Sequence, residues 1–314
     1  MVDEHLKEWN GIPIKNYDPA ESVSSDSIYR LVVDWDDSIS FNEKLEKFLA
    51  DPESSNVVGL SLGGNGDSAM EYYTDIVKPF LQHASHFPKL RFLFVGEMDQ
   101  EESELTWIGM NDCGAPVLNI FPALEDLRIR GGLDYAEGEN DALLFSSARH
   151  ICLKTLVIET AGLPKASLQG IRESVLPELE RLEIWLGSDE RGGNCTIDDL
   201  KPLVLDNPFP KLKALALKNS EIINDVAKLL ATAPILSQLE ELDLSLGTLT
   251  DEGALALLES EGVEGLKKLN LSYHFMSNEV MERFSSLGIA VDVSNQKEPD
   301  NWDGEDHYYV AVSE

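Results

Sequence analysis

The chain is poor in basic residues, in cysteine and in long apolar runs. Of its 314 residues, 25 are Lys or Arg against 57 Asp or Glu, a formal net charge of −32. Binding to nucleic acid or to an anionic membrane surface relies on Lys and Arg neutralising phosphates, so this balance excludes both as partners. It suits a protein or peptide partner, a basic one included, or simply a solvated acidic exterior. Cysteine occurs three times, at Cys113, Cys152 and Cys195. The number is odd and the spacings are wide, so neither a disulfide framework nor a paired-cysteine metal site is expected. A reducing, cytoplasmic setting follows. No stretch reaches the roughly 20 apolar residues of a membrane span, and the opening MVDEHLKEWNG has no apolar run of signal-peptide length. Histidine numbers six and is scattered. No serine–histidine–acid or cysteine–histidine arrangement can be assembled, so the chain reads as a non-enzyme with no cofactor and no metal.

What the sequence does have is a repeat. Leu239–Leu258, LEELDLSLGTLTDEGALALL, joins an LxxLxL triple to an apolar stripe at helical spacing. In the first half, Leu242 and Leu244 point one way and Glu241, Asp243 and Ser245 the other. The triple recurs as LRFLFV, LEDLRI, LKTLVI, LERLEI, LKALAL and LKKLNL, with degenerate copies YRLVVDW, VGLSL and IAVDV. Aligning on the first apolar residue of the last pair gives positions 31, 60, 93, 127, 156, 182, 215, 242, 269 and 291, at a mean step of about 29 residues. A unit of this size buries its apolar face only against a neighbour of the same shape, so the pattern overrides the two-domain prior that length alone suggests.

The spacing predicts helices over Phe41–Ala50, Met70–His83, Lys165–Ser174, Ile197–Leu205, Ile222–Ala231, Asp251–Glu259 and Asn278–Leu287. Pro88, Pro122, Pro177 and Pro210 each fall two residues before the first Leu of a triple. There they end a helix and set an extended approach to the strand, and the apolar residue before each plugs the gap between repeats. Residues 1–27 read as a partly ordered N-terminal cap, 28–293 as the repeat body and 294–314 as a C-terminal tail whose strand-like Tyr308–Val312 closes the last repeat. Residues 97–119 and 131–141 read as insertions in the connections of repeats three and four, on a rim where binding is often tuned.

LDLSLGTLTDEGALALL resembles the long-repeat, ribonuclease-inhibitor-like class of leucine-rich repeat proteins. The resemblance implies an α/β fold: a right-handed horseshoe with about ten parallel strands on the concave face and helices on the convex face. That class often carries Asn or Cys three residues after the last apolar strand residue. Here the position holds Asn65 once and otherwise Asp36, Met98, Gly132, Ala161, Gly187, Ser220, Gly247, His274 and Gln296, so no continuous asparagine ladder is expected. The segments WNGIPI and YVAVSE are similar to a group of bacterial leucine-rich repeat proteins with no established activity.

Residues flanking and between the apolar pair are expected on the concave face. Among them Phe92, Phe94 and Trp185 place aromatics on a solvent-facing sheet, and Arg128, Arg130 and Arg181 bring positive charge that the chain otherwise rarely has. Aromatics with arginine are the types enriched at interaction hot spots. Two readings stand. In one, these six residues form a protein- or peptide-binding patch. In the other, the aromatics pack under the 97–119 insertion and the arginines pair with Asp126, Glu159 and Glu183. Three further motifs read as structural. His83 and His86 lack further zinc ligands at a motif spacing. The glycine run Gly63–Asp67 lacks the Lys-Ser/Thr of a phosphate loop, and PDNWDGED lacks the bidentate Glu of a calcium loop. The function expected is a non-catalytic protein-interaction module acting through the concave sheet and the loops of repeats three and four. A structural, self-assembling subunit is the alternative, and an enzyme with a loop-borne site in 97–141 a third.

Overall fold

Each repeated apolar pair forms the buried side of a strand. In a computed structural model that describes residues 5–34, 37–65, 71–99, 102–132 and 144–313, the chain is α/β and divides into two units. These are Met1–Glu159 with Ser174–Pro177, and Thr160–Glu173 with Glu178–Ser313.

The first unit contains β1 (Glu8–Trp9), β2 (Ile12–Asn16), β3 (Ile28–Val33), α1 (Phe41–Ala50), β4 (Gly59–Asn65), β5 (Glu71–Tyr72), α2 (Tyr73–Gln82), β6 (Phe92–Val95), β7 (Ile108–Gly109), α3 (Gly114–Ile120), β8 (Asp126–Arg130) and β9 (Thr155–Glu159). Its main sheet runs β1-β2-β3-β4-β6-β8-β9 and is parallel apart from β1. Leu60 lies opposite Leu93, Leu93 opposite Leu127 and Leu127 opposite Leu156, as the spacing predicts. Leu31 departs from that alignment: it pairs with Leu62, two residues out, while Tyr29 faces Leu60. A shift of two leaves every side chain on its expected face. The insertion 97–119 is not a plain loop, since it contains β7, paired with β5, and α3. Most of 131–141 lies outside the described residues.

The second unit contains α4 (Lys165–Glu173), β10 (Arg181–Gly187), α5 (Ile197–Leu205), β11 (Ala214–Ser220), α6 (Ile223–Thr232), β12 (Glu241–Asp243), α7 (Asp251–Leu258), β13 (Lys268–Asn270), α8 (Asn278–Ser285), β14 (Ala290–Asp292), β15 (Asp300–Trp302) and β16 (Glu305–His307). Strands β10 to β14 pair in parallel, with Leu182, Leu215, Leu242, Leu269 and Val291 in one row. The four leucines of that row are no more than 1% exposed. At about 1.5–3 kcal/mol for each buried apolar side chain, such rows supply most of the drive to stack. The prolines act as expected. Phe87, Phe121, Leu176 and Phe209, each just before its proline, are all buried. In the first unit, Phe48, Phe87, Phe80 and Phe121 form a run of ring contacts 5.4–6.3 Å apart.

Charge fixes the same register. The residue after the first Leu of each triple is Arg91, Glu125, Lys154, Glu180, Lys213, Glu240 and Lys267 in turn. In-register stacking therefore alternates sign. Arg91 and Lys154 both bond Glu125, at 2.6 and 2.8 Å, and hold its carboxyl down to about 2. Lys213 bonds Glu180 at 2.9 Å and Lys267 bonds Glu240 at 2.7 Å. These groups are partly exposed and screened by solvent, so each pair adds little to stability. Their effect is to penalise slipped pairings.

Strand ends in the second unit are tied by a different device from an asparagine ladder. Asp243, Asn270 and Asp292 each accept the backbone N–H two residues on, from Ser245, Ser272 and Ser294, at 2.9–3.0 Å. The next residue turns left-handed: Leu246 at φ 67°, Tyr273 at 60° and Asn295 at 61°, with Asn219 at 51° ending β11. The N–H groups of Asn219, Leu246 and Tyr273 donate to Ser245, Ser272 and Ser294 of the following repeat. Leucine and tyrosine rarely adopt this conformation, and here the C-terminal tail braces them. Ala311 N–H donates to the Leu246 carbonyl and the Tyr273 hydroxyl to the Tyr309 carbonyl. Asn219, fully buried, both donates to and accepts from the Val312 backbone, at 2.6 and 3.0 Å. The tail thus crosses the strand-end turns of β11 to β13, and Tyr308–Val312 forms no strand, contrary to expectation. Edge pairing on β14 would leave these turn carbonyls unpaired.

Two histidines repeat one motif, one in each unit. His150 accepts Leu153 N–H at Nδ1 and donates from Nε2 to the Phe121 carbonyl. His274 does the same with Met276 and Val293. Burial pushes both below the ordinary 6.5, outweighing the carbonyl contacts that act the other way. Below pH 6.5 the unfolded chain therefore binds more protons than the native one, and stability falls with pH. Urea midpoints are expected to decline from pH 7 to 5.5, with a shallower slope in His274→Gln. Asn219→Ala is expected to cost about 1–3 kcal/mol by leaving the Val312 groups unpaired, and to expose the tail to proteolysis at concentrations that leave the native chain intact.

Candidate functional site

The first-unit sheet face opposite the helices is built from residues far apart in sequence. Asn10 and Gly11, at φ 50° and 77°, make the two-residue turn of the β1–β2 hairpin, which pairs Trp9 with Ile12. The turn places Trp9 on Phe92 and Phe94, with ring centroids 5.7 and 6.3 Å away. Trp9 Nε1 donates to Asp126 at 2.8 Å. Cations lie over the rings: Arg128 over Trp9 and Arg130 over Phe94, both at 5.0 Å, and Arg91 over Phe92 at 5.2 Å. Leu6, Ile12, Ile14 and Val58 pack around the cluster.

The expectation of solvent-facing aromatics therefore does not hold. Phe92 and Phe94 are 4% and 1% exposed. Their cover is Trp9, from the N-terminal segment. The arginines are also engaged: Arg130 donates to Glu159 at 2.6 Å and to the Met98 carbonyl, and Arg128 donates to Asp126 on its own strand. Arg128 keeps a quarter of its side-chain surface.

A buried ion pair fastens the segment that carries Trp9. Arg30 on β3 and Glu97 after β6 are 5% and 1% exposed. The guanidinium donates through Nε and Nη2 to the two Glu97 oxygens, in a fork. Ser61 adds a third donor at 2.7 Å. Arg30 also donates to the Leu6 carbonyl and to Asn16, while Leu6 N–H donates to Glu97. Burial by itself would raise the Glu97 carboxyl, but the Arg30 and Ser61 bonds hold it below its ordinary value.

The other two predicted residues lie in the second unit. Trp185 is 4% exposed and donates from Nε1 to Glu183 at 3.0 Å. Lys218 bonds the same carboxylate at 3.0 Å and stands 5.1 Å over the indole. Burial would raise Glu183, and Lys218 and Trp185 keep it lowered. Arg181 is 41% exposed and bonds Glu241, and its charge also helps to hold the Glu183 carboxyl down. The structure thus gathers Phe92, Phe94, Arg128 and Arg130 with Trp9 in the first unit, and Arg181 and Trp185 belong to the second. Trp9 and Glu97 were missed. The Asn10-Gly11 dipeptide is a strong hairpin signal that pointed to the first.

The remaining motifs have structural roles. His86 bonds Ser54 at 2.7 Å and packs edge-on against Phe87. PDNWDGED is the β15–β16 hairpin, with Asp303-Gly304 at its turn and Asn301 bonding Asp306 across it. Gly63–Asn65 end β4, and the rest of that glycine run lies outside the described residues. Burial pushes the Cys195 thiol up to about 12, and that of Cys113 still higher, so both stay protonated at neutral pH. Among the described residues no helix is long and apolar enough to cross a membrane.

Fold and surface together define an α/β repeat protein whose strands present an ordered polar face. A Bacteroides fragilis protein solved as a structural-genomics target aligns with 90% of this chain and 76% of its own, at TM-score 0.78 and 29% identity. An internalin from Listeria monocytogenes aligns with 78% of this chain and 71% of its own, at TM-score 0.35 and 16% identity. No family model matches the sequence, and no curated protein does. Trp9→Ala is expected to cost about 3–5 kcal/mol in urea denaturation, whereas replacing an exposed aromatic such as Trp302 changes stability by about 0.5 kcal/mol or less.

Proposed function

We propose that the chain is a non-catalytic, cytoplasmic protein-interaction module of the leucine-rich repeat, ribonuclease-inhibitor-like type. It binds a protein or peptide through its sheet face and the loops of repeats three and four. The observation that carries this reading is a row of polar side chains on hydrogen-bonded strands of the second unit. Arg181, Glu241, Asp243, Lys268, Asn270 and Asp292 are half-exposed or exposed there. Their strands and Asx turns are already ordered, so binding loses little conformational entropy. Three carboxylates in that row suit a basic segment. Of the six residues Phe92, Phe94, Arg128, Arg130, Arg181 and Trp185, Arg128 in the first unit and Arg181 in the second keep side-chain surface with which to meet a partner. Three unpaired cysteines fit the reducing compartment.

A second reading, self-assembly, is favoured by one observation. β14 ends the strand order, and among the described residues no strand pairs with its outer side. The test is capture from native cytoplasm by the tagged chain, with Arg181→Glu/Asp243→Lys as matched control and mass spectrometry as readout. The interaction reading expects a protein held by the native chain and depleted at least tenfold with the variant. The same proteins at the same levels on both would contradict it. Self-capture, with mass that grows with concentration in sedimentation, would support assembly.

A further inference from the structure

The N-terminal segment carries a second set of groups, at the mouth of an open cleft of about 660 Å³ lined in part by His5, Lys15, Asn16, Arg30 and Asp99. Asp99 and Glu102 hold one another in a reciprocal turn. Glu102 N–H donates to Asp99 Oδ1 and Asp99 N–H to Glu102 Oε2, each at 3.1 Å. One oxygen of each carboxylate is thereby oriented by backbone. The second oxygens, Asp99 Oδ2 and Glu102 Oε1, approach His5 Nε2 to 3.5 and 3.0 Å. The three ligand atoms lie within 4.8 Å of one another.

We propose that His5, Asp99 and Glu102 bind a divalent cation, with zinc the best fit. Zinc takes nitrogen and carboxylate oxygen at about 2.0–2.2 Å, which sets tetrahedral ligand atoms roughly 3.3–3.6 Å apart. The observed separations need only small side-chain movements to reach that. An outer shell is close at hand. His5 Nδ1 lies 3.3 Å from Glu97 Oε1 without a hydrogen bond to it, and a small ring rotation would let an Nδ1–H tautomer donate to that carboxylate and leave the Nε2 lone pair for metal. This is the carboxylate–histidine–metal arrangement that orients ligating imidazoles. Glu97 is itself fixed by Arg30 and Ser61, and Arg30 neutralises it. Asp99 and Glu102 then contribute two formal negative charges to a divalent ion. The cleft gives the ion a route from solvent. Bound metal ties residue 5 to the connection after β6, and so clamps the segment whose Trp9 covers Phe92 and Phe94.

The competing account is an imidazolium hydrogen-bonded to the same carboxylates. Calorimetric titration of the chelator-stripped full chain with Zn²⁺ at pH 7 separates the two. One saturable site per chain is expected, weakened at least tenfold in His5→Gln and in Glu102→Gln, both with melting curves like the native one. X-ray absorption of the loaded chain should show nitrogen and oxygen neighbours without sulfur. The proposal is overturned if the native chain has no saturable site, if affinity is unchanged in both variants, or if sulfur enters the first coordination shell. Should His5→Gln misfold, Glu102→Gln and the absorption spectrum decide alone.

Discussion

In-register parallel pairing of the repeated leucine pair is the constraint from which the rest follows. One strand with one helix exposes its apolar row on both flanks, and that row is satisfied only by an identical row beside it. Leu60, Leu93, Leu127 and Leu156 form one such row and Leu182, Leu215, Leu242 and Leu269 another. A slip by one residue would turn every leucine to solvent. The alternating charges beside the triples penalise a slip of one repeat relative to its partners, since like charges would then meet. Weak surface pairs thus gain importance as specificity, although each is worth little as stability.

A stack of repeats must also end, and its sheet face must meet either water or chain. In the first unit the N-terminal segment extends the sheet through β2 and lays Trp9 on the open face. Its anchor is the Arg30–Glu97 pair. Burying two charges costs several kcal/mol each, and the pair recovers this only because its bonding is nearly complete: a forked guanidinium, the Ser61 hydroxyl and the Leu6 backbone. Such a pair tolerates no loss of one partner. It therefore specifies one position for the segment more than it adds net stability. In the second unit the C-terminal tail plays another part. It satisfies the carbonyl of left-handed Leu246 and the hydroxyl of Tyr273, and leaves the polar face of β12 and β13 open to solvent.

How much of this was legible depends on the range of the interaction concerned. Apolar periodicity is local, so the strand pairs from position 60 onward and helices such as Phe41–Ala50 and Ile197–Leu205 could be read to within a residue or two. β3 shifted by two because apolar residues fill both faces of Ile28–Val33, with only Arg30 between them, so several alignments are equivalent. The candidate site was harder. Alternation puts Phe92, Phe94 and Arg128 on one face, and all three meet Trp9, but their exposure depends on that residue, whose contact with Asp126 spans 117 residues. β1 has two residues, too short to show a period, and only Asn10-Gly11 marked it. Glu97 read as the start of an insertion because nothing local distinguishes a carboxylate that will meet Arg30 from the chain's many solvated ones. The Asp/Asn-x-Ser turns at Asp243, Asn270 and Asp292 were visible in the letters, four residues before the position at which an asparagine ladder was sought.

The central claim is that residues 5–16 are a fixed part of the first-unit sheet, covering the face that composition alone would offer to a partner. Native-state hydrogen exchange resolved to single amides tests this most directly. The account predicts that Ile14 N–H, bonded to the Lys7 carbonyl at 3.0 Å, and the amides of Phe92–Val95 exchange slowly, in one cooperative unit. Exchange of Ile14 at the rate of an unstructured chain, with Phe92–Val95 still protected, would contradict it and return Phe92 and Phe94 to the surface as an open binding patch.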